Sequence, residues 1–244
     1  PRARGMIAWL RPGDPPDAFP PVSAALREPD GLLCAGGDLS PSRLVAAYRR
    51  GIFPWYSEGQ PILWWSPDPR AVLLPGQFKV SRSLAKTLRN RGFETSVNQA
   101  FGDVVVRCAD PRLRPEGTWI SPAMRAAYLT LNQMGRAHSV ETWRDGRLVG
   151  GLYGVALGKV FFGESMFSLE PDASKVALKR LVDEVSARGY VLIDCQVASE
   201  HLQSLGAHGM PRREFVRRLE QSIGNLEPDP SWPRQAAPGE APAP

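Results

Sequence analysis

The chain has 244 residues, 43% of them hydrophobic, which is enough to bury a core in one large domain or two small ones. Thirty Lys and Arg against 25 Asp and Glu leave a net charge of +5, which admits a polyanionic partner without demanding one. The three cysteines (Cys34, Cys108, Cys195) are far apart and form no CxxC pair, so a disulfide framework is excluded and reduced thiols in a cytoplasm are expected. No run approaches the roughly 18 apolar residues of a membrane span, and residues 1–12 lack the apolar core of a signal peptide. A soluble, cytoplasmic protein with no membrane partner is expected.

Residues 1–30 are rich in Pro, Gly and charge, with Trp9-Leu10 and Phe19-Pro20 as the only apolar anchors, and predict an irregular arm over the surface. Gly36-Gly37-Asp38 belongs to neither a GxGxxG nor a GxxxxGK[ST] pattern, so the glycines read as a turn before a helix. That helix is well marked over 41–50: Ser40 caps it, Pro41 takes the first position and Gly51 stands where a left-handed stop is needed. From Gly51 to Arg70 aromatics and prolines are too dense for a regular element. Most of these aromatics read as filling between two domains, with a stacking platform for a nucleobase as the alternative.

A short strand is predicted over 71–75 and a helix over 78–91. On that helix Arg82, Lys86 and Arg89 share a face, flanked by Lys79 and Arg91, while Leu84 and Leu88 form the opposing apolar face. A ridge with no interleaved acid suits a phosphate backbone, although a solvated face has the same appearance. A strand over 93–97, a helix over 98–108 and a loop bearing Arg107, Arg112 and Arg114 follow. A second helix is capped by Ser121, with Pro122 first and Gly135 as its stop.

From His138 the period becomes two, with turns at Asp145-Gly146 and Gly158-Lys159, which predicts a three-stranded antiparallel meander to Phe167. A helix opened by Pro171-Asp172 stops at Gly189, a strand spans 190–197, and two helices cover 199–205 and 211–223. Residues 226–244 are mostly Pro, Ala, Gly and Glu and are expected to be a disordered tail. The order of strands, helix, strand and helix over 138–223 is an α+β pattern, that of the acyl-CoA N-acyltransferase (GNAT-like) fold. A coenzyme A enzyme of that fold needs a glycine-rich turn before its helix, so that backbone N–H groups hold a pyrophosphate. Here residues 168–174 carry two acids and no glycine, so no coenzyme A site is expected.

Chemistry is expected where polar groups interrupt two apolar strands, since a carboxylate there is costly to bury unless it is paired or faces a cleft. With regular alternation Phe162, Glu164 and Met166 share one face, as do Leu192, Asp194 and Gln196, and Cys195 points away as a core thiol. A single buried acid is as often structural as functional, but three polar groups together favour a site. The three histidines have no ligand-like spacing with cysteines, and no metal site is expected.

Six motifs then name a family. Gly36-Gly37-Asp38-Leu39-Ser40-Pro41, Gly51-Ile52-Phe53-Pro54-Trp55, Trp64-Trp65-Ser66-Pro67-Asp68-Pro69-Arg70, Gly117-Thr118-Trp119-Ile120, Gly163-Glu164-Ser165-Met166-Phe167-Ser168 and Ile193-Asp194-Cys195-Gln196 together resemble the leucyl/phenylalanyl-tRNA–protein transferases, over about residues 26–219. The resemblance implies a bacterial enzyme without cofactor that moves Leu, Phe or, less well, Met from aminoacyl-tRNA to an acceptor protein with N-terminal Arg or Lys, marking it for degradation. It implies a small N-terminal α/β domain (with the arm, 1–68), a GNAT-like catalytic domain (69–225) and the tail (226–244). Its catalytic pair falls on Asp194 and Gln196, with Glu164 in the site. The tRNA end falls near Trp55 and Trp119, and the basic contacts near Arg82 and Lys86, with Arg89 a weaker carry-over.

Such a reaction is aminolysis of an ester, which needs alignment, removal of a proton and stabilisation of an oxyanion. Gln196 is expected to accept a hydrogen bond from the attacking amine, with Asp194 as the final acceptor or polariser. Glu164 is open to three uses: holding a substrate ammonium, a guanidinium or the aminoacyl amine. Candidates for an aminoacyl side-chain pocket are Phe161, Phe162, Met166, Phe167, Leu178 and Ile193. The rival readings are a coenzyme A-dependent N-acetyltransferase and a non-catalytic RNA-binding protein, and a monomer is expected.

Overall fold

Two sheets divide the computed structural model, which describes residues 7–113, 118–224 and 226–234. Arg114 and Gly117, and the last ten residues of the expected tail, lie outside the described residues. The first sheet has the order β1-β2-β4-β3, from β1 (Ala8–Leu10), β2 (Leu32–Gly36), β3 (Phe53–Pro54) and β4 (Leu63–Trp65). The expected irregular arm therefore contributes a strand, because β1 pairs in parallel with β2 while Leu10 and Phe19 are buried. Regular structure also forms in the aromatic and proline-rich segment, against expectation. There β4 pairs antiparallel with β2 on one side and β3 on the other, and Pro54 is tolerated because β3 is an edge strand. Trp64 is fully buried, its indole N–H donating to the Gly36 carbonyl at 2.8 Å.

Local rules fix α1 (Pro41–Arg49). The Ser40 hydroxyl accepts from the Arg43 N–H, and Gly51 adopts φ 74° just beyond the helix end.

The second sheet has seven strands in the order β11-β5-β10-β9-β8-β7-β6. In chain order its region holds β5 (Arg70–Leu73), α2 (Arg82–Asn90), β6 (Glu94–Val97), α3 (Phe101–Cys108) and α4 (Pro122–Gln133). The meander follows as β7 (Ala137–Arg144), β8 (Arg147–Leu157) and β9 (Val160–Ser168). Then come α5 (Ala173–Ala187), β10 (Leu192–Gln196), α6 (Glu200–Ser204), β11 (His208–Met210) and α7 (Arg212–Ser222). All pairings are antiparallel except β9 with β10, which α5 connects. The α+β architecture is the expected one.

Two helices start later than their apolar period suggests. Ser81 caps α2 by accepting the Leu84 N–H, and before α3 Asn98 sits at φ 56° while Glu141 accepts the Ala100 N–H. Leu88 is 39% exposed rather than buried, and Thr87 takes the inner position instead, its hydroxyl donating to Asp172 at 3.0 Å.

One hydrophobic core joins the first sheet to α1, α3, α4 and one face of the second sheet. A second core lies under α5 on the other face. Residues 226–234 are not a loose tail. Trp232 is 3% exposed, its ring stacked on His138 at 4.4 Å and its N–H donating to the Tyr190 hydroxyl at 2.8 Å. One large aromatic among prolines that are already stiff is enough to anchor the segment.

Candidate active site

Parallel pairing sets β9 and β10 side by side, with Asp194 opposite Phe162, and both strands are bulged at the polar residues. On β9, Gly163 and Ser165 face the consecutive residues Gly154 and Tyr153 of β8, which leaves Glu164 as the extra residue. A side chain at Gly154 would meet the Phe162 carbonyl and the Phe161 ring, so the close approach beside the bulge requires glycine. On β10, Asp194 and Gln196 face Val72 and Ala71 of β5, which leaves Cys195 extra.

These bulges overturn the regular alternation expected for the two strands. Phe162 and Phe167 fall in the core shared with the first sheet, whereas Met166 packs with the core under α5. Cys195 packs against the core under α5, away from the Asp194–Arg70 pair as expected, while also lining the cleft beside Gln196, and burial pushes its thiol well above the usual range.

Asp194 is fully engaged. The Arg70 Nε donates to its Oδ1 at 2.8 Å and Nη2 to its Oδ2 at 2.7 Å, and both side chains are fully buried. The guanidinium lies between the rings of Phe53 and Phe215, 4.6 and 4.8 Å from their centroids, and its Nη1 donates to the Gly51 carbonyl at 3.1 Å. Asp194 Oδ1 also accepts the backbone N–H of Gln196 at 2.9 Å. Gln196 has φ 62°, a left-handed conformation that a non-glycine residue adopts only when its surroundings enforce it. The Asp194 carboxylate supplies that constraint.

The side chain of Gln196 is held separately, its Nε2 donating to Glu164 Oε1 at 2.9 Å. Two buried tyrosines complete this cluster. The Tyr48 hydroxyl, from α1, lies 2.7 Å from Glu164 Oε1, the Tyr128 hydroxyl, from α4, lies 2.7 Å from Oε2, and the two hydroxyls are 2.6 Å apart. Burial pushes the Glu164 carboxyl up to about 8, against the lowering effect of the tyrosine hydroxyls, with Asp194 adding to the rise and Arg70 opposing it. Burial above all raises both phenols well above their ordinary value.

A cavity of ≈ 260 Å³ opens beside this cluster, walled by Leu152, Met166, Leu178, Leu181, Ile193 and Leu202 with Glu164 and Gln196 at its polar side. Of the six expected pocket residues, Met166, Leu178 and Ile193 line it. Phe161, Phe162 and Phe167 do not, being buried in the two cores: Phe161 lies 5.8 Å from the Trp232 ring and Phe162 lies 5.1 Å from the Tyr48 ring. A larger groove of ≈ 1080 Å³ contains Trp55, Trp119, Glu164 and Gln196 together. Trp55 is 45% exposed, its ring 5.6 Å from that of Trp65, and Trp119 lines both the groove and the smaller cavity. Arg82, Lys86 and Arg89 are all exposed along α2 and do not line either hollow.

Sequence reasoning missed Tyr48, Tyr128 and Arg70. A signal existed for the tyrosines, since each sits on the apolar face of a helix, where a buried hydroxyl needs a partner. Arg70 carried none, because nothing about an arginine at the edge of a predicted strand marks it as buried.

Residues 72–220 match the family model for leucyl/phenylalanyl-tRNA protein transferase, and residues 37–68 match that of its N-terminal domain. The chain is 61% identical over 214 residues to a leucyl/phenylalanyl-tRNA–protein transferase of Aromatoleum aromaticum, covering 88% of this chain and 89% of that one. It is 58% identical over 227 residues to that of Azoarcus sp., covering 93% and 95%. Among solved structures, a GCN5-related N-acetyltransferase from Kribbella flavida is similar at 13% identity and a TM-score of 0.39, covering 70% of this chain and 61% of that one. The chain belongs to the leucyl/phenylalanyl-tRNA–protein transferase family.

Proposed function

We propose that the cleft joins the α-carbonyl of an aminoacyl group on tRNA to the N-terminal amine of an acceptor protein, with Gln196 at the reacting centre. The observation that carries this is the double restraint on Gln196. Asp194 holds its backbone and Glu164 holds its amide nitrogen, which leaves the amide oxygen to accept a hydrogen bond from the attacking amine. An amide is too weak a base to keep a proton, so its work is to align the nitrogen lone pair with the ester carbonyl; as the C–N bond forms the C–O bond to the tRNA ribose breaks, and the departing ribose oxygen takes up the amine's proton. In this reading Asp194 positions Gln196 rather than relaying a proton, because both its oxygens are occupied by Arg70 and the Gln196 N–H.

The ≈ 260 Å³ cavity receives the side chain of Leu, Phe or, less well, Met, through Met166, Leu178 and Ile193 together with Leu152, Leu181 and Leu202. A methylene in such a pocket is worth only about 1 to 3 kcal/mol, which fits moderate selectivity among the three. Trp55 and Trp119 stack the terminal adenosine in the adjoining groove, and Arg82, Lys86 and Arg89 follow the tRNA backbone. The acceptor bears N-terminal Arg or Lys, and its extension marks it for degradation. The use of charged tRNA favours the cytoplasm. The reading takes the protein as a monomer built as a small N-terminal domain to residue 68 and a catalytic domain beyond it.

Coenzyme A has no place in this reading. At the start of α5 the Ala173 N–H donates to the Glu170 carbonyl and the Ser174 N–H to the Ser168 hydroxyl, so groups that would cradle a pyrophosphate are already used. Asp172 and Glu170 add negative charge beside them. Aminolysis of an ester is downhill and is assigned to these side chains without a cofactor or metal. The test is transfer of labelled Leu from Leu-tRNA to a peptide beginning with Arg, with a peptide beginning with Asp as control. Transfer to the first alone is expected, and no transfer to either while tRNA still binds would contradict the reading.

A further inference from the structure

The triangle of Tyr48, Tyr128 and Glu164 poses a proton-counting problem. Its three oxygen–oxygen separations are 2.6, 2.7 and 2.7 Å, each a hydrogen-bond distance that requires one proton between the atoms. The two hydroxyls supply two protons, and an ionised carboxylate supplies none. With Glu164 charged, one edge of the triangle would bring two lone pairs face to face in a buried site.

We propose that Glu164 is an uncharged carboxylic acid in the resting site and closes a ring of three hydrogen bonds with Tyr48 and Tyr128, which act as positioning residues. In the sense that suits every neighbour, the Glu164 Oε2–H donates to Tyr128, the Tyr128 hydroxyl donates to Tyr48, and the Tyr48 hydroxyl donates to Glu164 Oε1. Oε1 also accepts from the Gln196 Nε2–H, so the ring fixes the direction of that amide.

The surroundings agree. The groups facing Glu164 are Tyr48 from α1, Tyr128 from α4, Tyr153 from β8, Asp194 and Gln196 from β10, and Arg70 from β5. Arg70 is the one cation among them and is already paired two-to-two with Asp194, so a second buried anion at Glu164 would have no counter-charge. Burial raises its carboxyl to about 8, in the same sense.

The consequence rests on the aminoacyl-transfer reading. An anionic Glu164 beside Gln196 would stabilise the ammonium form of an incoming amine, which has no lone pair for attack. An uncharged Glu164 removes that trap and admits the free amine. This separates Glu164 from the role of an ammonium or guanidinium holder.

Difference infrared spectroscopy on the full chain, wild type minus Glu164→Gln at pH 7, tests the ring without any turnover. The expected result is a carbonyl stretch of a protonated carboxyl that vanishes as pH rises through about 8. Carboxylate stretches alone in the difference would overturn the proposal. Should Glu164→Gln not fold, Tyr128→Phe must shift that band in the wild-type background by removing its partner, and an unshifted band would equally overturn it.

Single-turnover transfer supplies the functional readout. Glu164→Gln keeps the ring, with its amide donating to Tyr128, and whatever its rate at pH 7 it should lose the fall in rate above pH 8 that the wild type shows. A folded, tRNA-binding Glu164→Gln whose transfer rate still falls above pH 8 as the wild type's does would overturn it. Absence of transfer in the wild type would defeat the functional reading and leave the infrared result standing by itself.

Discussion

Two buried polar clusters grip Gln196 from opposite sides, and they are built on opposite principles. The Arg70–Asp194 pair sets one full charge against another, with every strong donor and acceptor on the guanidinium face engaged and two aromatic rings above and below. The Tyr48–Tyr128–Glu164 triangle is a ring of hydrogen bonds among groups that are neutral when each oxygen shares a proton. The first acts on the Gln196 backbone and holds φ at 62°, whereas the second acts on its side-chain amide. An ion pair fixes geometry and tolerates no loss of a partner, while a proton ring fixes direction and stays able to redistribute its protons. In the proposed reading, a weakly basic amide that orients an attacking amine needs both kinds of restraint.

The comparison predicts a hierarchy of effects. Arg70→Ala should be the most damaging, because it leaves the Asp194 charge buried and alone, at a cost of about 3 to 5 kcal/mol in urea unfolding. A loss under about 1 kcal/mol would mean that the pair is not buried as described. Gln196→Ala should change stability little yet slow single-turnover transfer about a hundredfold, the size of a lost alignment of the reacting groups. Tyr48→Phe opens the triangle without removing charge, so a smaller destabilisation of about 1 to 3 kcal/mol is expected from the unsatisfied partners, again by urea unfolding. Lys86→Ala touches neither cluster. It should leave folding and chemistry unchanged and lower the salt dependence of tRNA binding by about one unit of slope.

Elements governed by local chemistry were readable in advance. Ser40 and Ser121 with Pro at the following position, and Gly51 and Gly135 beyond the ends, mark α1 and α4 without reference to the rest of the chain. The meander was readable from its period and from the turns at Gly146 and Gly158. The residues Glu164, Asp194 and Gln196 stood out as polar groups in apolar strands, and the structure bonds Gln196 to both of the others, while Glu164 and Gln196 line the same groove as Trp55 and Trp119.

What could not be read depends on contacts between distant segments. A bulge is a property of two paired strands, so the extra residues Glu164 and Cys195 left no trace in either strand by itself, and Met166, expected on the side of Phe162 and Glu164, packs in the other core. The burial of Arg70 depends on Phe53 and Phe215, which lie 17 and 145 positions away in the chain. Trp232 was overlooked because composition describes the average of residues 226–244, whereas one side chain is enough to anchor part of it.

A double-mutant cycle on single-turnover transfer, with Asp194→Asn, Gln196→Ala and the two combined, tests most directly whether Asp194 acts through Gln196. If Asp194 serves to position Gln196, the combined variant should be no slower than the slower of the two single variants. Rate losses that multiply would mean that Asp194 acts on the substrate independently, and would contradict the account.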